Sequence, residues 1–197
     1  MPIAGLIILN IAFIACSLED TSDPPEPFVL GDNDYALDCD HSGDSVEAWA
    51  CQLAYYTNRE RRAHPEESDQ AAPLDWSWEL ADVASAYSRR MCEDDFFDHK
   101  DPQGNGIEVR LYEAGITYVK AGENLARGAN LYPGEAMALF MDEAPCQLNH
   151  RGNVLDNDFT HVGVGTVFCD VMTIYTQLFA TFSADDLRDD PNEFCGE

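Results

Sequence analysis

Positive charge is scarce in this sequence. Its 197 residues carry 11 Lys and Arg against 37 Asp and Glu, a formal charge of −26, and no Lys or Arg precedes Arg59. A surface of that sign repels phosphate backbones and anionic bilayers. Nucleic-acid binding by charge is therefore excluded, and so is a basic membrane-surface helix. No apolar run reaches the roughly 20 residues needed to cross a hydrocarbon core. No C-x-x-C pair occurs, which argues against a zinc ribbon or a thioredoxin-type redox motif. The G-x-S-x-G turn that presents a serine nucleophile is missing, and there is no internal repeat. What remains is globular in character: 45% hydrophobic and 24% charged residues, enough for one domain with its own core plus tails.

Ile3 to Ala15 is apolar except for Asn10, and Cys16 follows. A run of that length suits the apolar region of an export signal. The stretch Phe13-Ile14-Ala15-Cys16 resembles a bacterial lipoprotein signal, which implies acylation of Cys16. A cleaved secretory signal and an uncleaved anchor are the alternatives. All three export the chain, to the medium or to the outer envelope of a bacterium, and confine membrane contact to this segment. The seven cysteines stand at 16, 39, 51, 92, 146, 169 and 195. Setting Cys16 aside leaves an even set, read as up to three structural disulfides whose pairing the sequence leaves open.

The expected organisation is a signal over 1–16, an acidic tether over 17–43, a folded domain over 44–183 and an acidic tail over 184–197. In the tether, Asp38-Cys39-Asp40-His41-Ser42-Gly43 imitates half of a calcium loop, but Trp49 stands where the bidentate Glu is needed, so it reads as a plain acidic loop. A helix is expected from Asp44, with Asp44 and Glu47 as its capping pair and Val46, Trp49, Ala50, Leu53 and Tyr56 on its buried face. A second spans Trp76 to Cys92 and buries Leu80, Val83, Ala84, Tyr87 and Met91. A short third runs from Ile107 to Ala114 and stops at Gly115. A fourth opens at Pro133 and buries Met137, Phe140 and Met141. His161 to Phe168 and Met172 to Phe182, rich in Val, Thr, Ile, Tyr and Phe, form an antiparallel hairpin. The fold class is α+β.

Two of the five histidines, His99 and His150, stand beside chain features that could build a site, with Glu123 and Glu143 between them in sequence. Two imidazoles and two carboxylates suit an open zinc-type site or an acid/base pair. Their spacings match no local metal motif. His161 reads as an edge-strand residue, and His41 and His64 as solvated loop residues. Asn58 and Arg61 read as ties between the first helix and the sheet.

Taken together, Asn58-x-x-Arg61, Pro73-Leu74-x-Trp76, Met91 with Phe96-Phe97-x-His99, Gly122-Glu123-Asn124-Leu125, Asn149-His150-Arg151-x-Asn153-Val154-Leu155, Thr160-His161-Val162-Gly163-Val164-Gly165 and Tyr175-Thr176-Gln177-x-Phe179 resemble the bacterial branch of the CAP/SCP superfamily. These are the cysteine-rich secretory, antigen-five and pathogenesis-related proteins. The resemblance covers residues 48–182 in order. It implies an α-β-α sandwich with a three-stranded antiparallel sheet between helices and a broad cleft. The implied cleft tetrad is His99, Glu123, Glu143 and His150, with His99 and His150 as the residues that hold a divalent metal such as Zn²⁺ and the two Glu in support. Phe140 replaces the Trp usual in the family.

The function implied is that of an exported binding module for a lipid, a small ligand or an extracellular protein. Two alternatives stand beside it. One is a metal-dependent hydrolase with Glu123 or Glu143 as general base. The other is a structural or adhesion protein with a vestigial cleft.

Overall fold

The computed structural model describes residues 37–186. The export segment with Cys16, residues 17–36 of the tether and most of the acidic tail lie outside the described residues.

Helix α1 spans Val46–Ala63. Its N-cap is Ser45 rather than Asp44: the Ser45 hydroxyl accepts from the Ala48 N–H at 3.1 Å, and Asp44 stays exposed. Trp49, Ala50 and Leu53 are buried. Asp75–Trp76 form a two-residue strand, β1, and helix α2 follows at Trp78–Glu93. The helix thus starts two residues later than periodicity suggests. The Asp75 and Ser77 N–H groups donate to the Thr160 and Val162 carbonyls instead of entering the helix, and Ser77 becomes its cap. Helix α3, Ile107–Glu113, ends at Gly115, whose φ of +73° suits the C′ position. Strand β2 is Lys120–Ala129, α4 is Pro133–Met141 and α5 is His150–Leu155. Strands β3, His161–Cys169, and β4, Met172–Thr181, form the expected hairpin.

The sheet runs β1-β3-β4-β2, with β1 parallel to β3 and the other pairs antiparallel. It has four strands where three were expected, the extra one being the short β1. Residues after Pro73 are drawn to the sheet edge by Asn58, which exchanges two hydrogen bonds with the Leu74 backbone at 2.7 and 3.0 Å.

Strand β4 is central, and its alternation builds a core on both faces. Tyr175 and Phe179 join Trp49, Leu53, Met137, Phe140, Val154 and Val164 beneath α1, α4 and α5. On the other face Leu178 and Ala180 meet Leu80, Ala84 and Leu111, while Ile174 meets Tyr87, Met91 and Leu125. Helix α2 lies almost on the backbone of β3. A Cβ added at Gly163 would fall 2.3 Å from the Ala81 nitrogen, and one at Gly165 would fall 2.0 Å from the Ser85 nitrogen. The glycines permit that approach, and Ser88 Oγ uses it to donate to the Gly165 carbonyl at 3.0 Å.

Arg61 is buried and donates to four carbonyls, those of Ala72, Val154, Asp156 and Phe159. It stitches α1 to the segments on either side of it. Burial lowers its pKa to about 10, so it stays charged at neutral pH. Disulfides join Cys39 to Cys51 and Cys92 to Cys169, and Cys146 is also disulfide-bonded. The acidic loop before α1 is held by Cys39 and by Gln52, whose Nε2 donates to the His41 and Gly43 carbonyls.

Candidate functional site

His99 lies on the loop between α2 and α3, Glu123 on β2, Glu143 just past α4, and His150 at the first position of α5. The fold brings the four together as two dyads. His99 Nδ1 is 2.8 Å from Glu123 Oε1, and His150 Nδ1 is 2.7 Å from Glu143 Oε1. The two imidazoles face each other with centroids 6.4 Å apart and 29° between their planes.

The dyads differ in their surroundings. The Glu123 side chain is only 4% exposed, and both of its oxygens also accept from the Arg110 guanidinium, at 2.6 and 3.0 Å. The His99 ring that shares it is 55% exposed. The hydrogen bond to Glu123 raises the pKa of His99 against the opposing effect of burial. In the second dyad both side chains are 32% exposed. Glu143 Oε2 accepts from the backbone N–H of His150 at 2.7 Å and of Arg151 at 3.4 Å. Burial pushes the Glu143 carboxyl up, but the hydrogen bond from His150 Nδ1, the His150 charge and these two N–H groups together hold its pKa below the ordinary value.

Local packing explains why these positions are kept. Arg151 forms a bidentate pair with Glu67 and donates to the Met141 carbonyl at 2.7 Å, which closes the 142–149 loop onto α5. Phe140, buried at the end of α4, supports the His150 ring at 5.1 Å. Asn124 Nδ2 donates to the His150 carbonyl and to Gln177, while its Oδ1 accepts from Asn153. Gln177 continues to Thr57 on α1. This buried chain of amides fixes β2 against α5 and so fixes the two dyads relative to each other.

Arg110, Asn124 and Asn153 were not singled out from the sequence as site residues. Asn124 and Asn153 stand inside the quoted motifs, next to the residues that were. Arg110 carries no such signal. The remaining histidines serve locally: His161 Nδ1 meets Thr160 Oγ1, His64 Nδ1 meets the Glu60 carbonyl at the end of α1, and His41 packs toward Tyr55. His41 and His64 are half-buried rather than solvated.

With each Nδ1 taken by a carboxylate, Nε2 is the ring nitrogen left to each histidine for a ligand. Among the described residues no group of three or more His, Cys, Asp or Glu side chains is poised around a common metal position. A cation held here would take two protein nitrogens and draw its remaining ligands from water or from what it binds.

The match to known proteins covers the elements that carry these residues. The family model of the CAP domain, the cysteine-rich secretory protein family, matches residues 54–179. The Bacillus subtilis protein YkwD is 33% identical over 135 residues, 68% of this chain and 48% of YkwD. An extracellular SCP-domain protein from Bacillus anthracis superposes with a TM-score of 0.58 at 29% identity, over 68% of this chain and 40% of that one. An outer surface protein from Borrelia burgdorferi shares the fold with a TM-score of 0.60 at 16% identity, over 71% of this chain and 97% of its own. This chain spans about half the length of YkwD and less of the Bacillus anthracis protein. From the α1 face to the last strand of its sheet, the chain belongs to the CAP family of cysteine-rich secretory proteins.

Proposed function

We propose that this protein is an exported binding module in which His99 and His150 hold a divalent cation such as Zn²⁺ through Nε2, presenting it to a lipid, a small ligand or an extracellular protein. The supporting observation is the facing pair of imidazoles, each with its Nδ1 bonded to a carboxylate. That arrangement fixes a tautomer and orients the other nitrogen, as carboxylates behind metal-binding histidines do. The ion would supply a positive centre with open coordination positions. Export, as a secreted protein or as a lipoprotein acylated at Cys16, belongs to the same reading; the Bacillus anthracis relative is described as extracellular.

The hydrogen bonding of the carboxylates favours binding over hydrolysis. Glu123 is shared between His99 and a bidentate guanidinium, and Glu143 accepts from its histidine and two backbone N–H groups. Each carboxylate thus accepts three hydrogen bonds from fixed donors, which makes it a poorer general base toward water. The test pairs thermal unfolding with turnover. Zinc at about 100 times its Kd should stabilise the fold by about 2.7 kcal/mol, roughly 8 °C in Tm for a domain of this size, with model esters hydrolysed no faster than in buffer. Zinc-dependent turnover abolished by Glu123→Gln would establish a hydrolase instead.

A further inference from the structure

His99 sits on a loop with its ring more than half exposed, so it depends on few contacts for its place. The loop backbone is held at two adjacent carbonyls. Tyr87 Oη donates to that of Asp98 at 2.7 Å, and Arg110 Nη2 donates to that of His99 at 3.1 Å. The ring is held by Glu123, and Glu123 is held by the same Arg110 through a two-point fork. One guanidinium therefore secures both the main chain of His99 and the acceptor for its ring.

Arg110 is itself fixed. Its Cζ lies 3.4 Å from the centroid of the Tyr87 ring, its Nε reaches the Gly106 carbonyl at 3.4 Å, and its side chain is only 9% exposed. A planar fork stacked on an aromatic face is a geometry that Lys cannot reproduce. The second dyad is built differently. The nearby guanidinium, Arg151, is turned to Glu67, and Glu143 is held by backbone N–H groups.

We propose that Arg110 is the positioning residue of the cleft: by fixing the Glu123 carboxylate and the His99 carbonyl, it holds His99 in its Nδ1–H tautomer with Nε2 available opposite His150. The use of that nitrogen for a cation rests on the reading of the cleft given above; the positioning does not. Without the guanidinium, the 4%-exposed Glu123 carboxylate is left with the ring as its side-chain partner, and the loop loses one of its two carbonyl anchors. The imidazole is then free to reorient.

The test is two-dimensional long-range proton–nitrogen NMR of the histidine rings in the full chain, for wild type, Arg110→Gln and Arg110→Lys. Wild type should show neutral His99 as the Nδ1–H tautomer. Arg110→Gln should shift His99 to a mixed or Nε2–H form while the His150 signals stay in place, and Arg110→Lys should give an intermediate position. His99 signals unchanged in Arg110→Gln would overturn the proposal. If Arg110→Gln loses its dispersed amide spectrum and so does not fold, Arg110→Lys decides in the same way. Zinc titration of the same proteins should show a tenfold or greater loss of affinity in Arg110→Gln. A wild type that ignores zinc would count against the cation reading and leave the His99 tautomer to judge Arg110.

Discussion

His99 and His150, 51 positions apart in the chain, present their rings to each other at 6.4 Å between centroids, each backed by its own glutamate. The relationship depends on elements that were built for other reasons: a hydrogen-bonded amide chain from Asn153 to Thr57, a loop clamped by Arg151, and a helix lying on glycines.

Titration of His99 should report its glutamate. Its pKa is raised above 6.5, first by the hydrogen bond to Glu123. A raised folded-state value contributes stability that is complete below the unfolded value, near 6.5, and is lost as pH rises through the folded value. The ring is more than half exposed, so the contribution is small. An NMR titration should place the His99 midpoint above 6.5 in wild type and lower in Glu123→Gln; a wild-type midpoint at or below 6.5 would contradict this. Glu143 acts in the opposite window. Its value is held below 4.5, so its stabilising effect is lost as pH falls through the folded value.

Gly165→Ala should be costly for reasons of space alone. The new methyl would lie 2.0 Å from the Ser85 nitrogen and 2.2 Å from the Ala84 carbonyl carbon, so α2 must lift from β3. The expected loss is about 3 kcal/mol, read as a lower urea midpoint. Gly134→Ala is the control, because its nearest neighbour is the Tyr56 ring at an ordinary 3.4 Å; an equal loss there would show that space is not the cause.

Arg61→Met keeps much of the volume and removes the donors to four carbonyls. Leaving buried acceptors without partners should cost about 3 kcal/mol or more. Chemical denaturation measures it, and a loss under 1 kcal/mol would mean that water replaces the guanidinium.

The Cys92–Cys169 bond ties the end of α2, where the His99 loop departs, to the end of β3 across 77 residues. In the chain-entropy account a loop of that length contributes about 4 kcal/mol. Replacing both cysteines by Ser should lower Tm by more than 10 °C while the rest of the sheet persists at lower temperature. A Tm within a few degrees of wild type would contradict it.

Some of this architecture was legible in the residues. Val, Ile, Thr and Tyr mark the β3–β4 hairpin, and the stripe of Leu80, Ala84, Tyr87 and Met91 marks α2. Strand β2 was hidden because Lys-Ala-Gly-Glu-Asn-Leu-Ala-Arg-Gly-Ala contains no β-branched residue. It is a strand because ten positions pair with β4. Strand β1 was hidden because two residues show no period, and its partner lies more than 80 positions away. The start of α1 was misread by one residue: Ser45, beside Asp44, was better placed to cap it.

The site was less legible than the fold. Spacings of 24, 20 and 7 residues between His99, Glu123, Glu143 and His150 match no local metal motif, since the four reach one another through tertiary packing of four separate elements. The family resemblance named them. The participation of Arg110 could not be read at all: a charged residue on a short helix ordinarily faces solvent, and only the fold turns it inward onto Tyr87 and Glu123.

The most direct test of the account is calorimetric titration of zinc into the disulfide-intact full chain, with His99→Ala and His150→Ala alongside. One ion per chain is expected in wild type, with loss of that binding in both variants, each of which keeps its fold. An unbound wild type, or a variant that binds as wild type does, would contradict the claim that the two histidines share one ion.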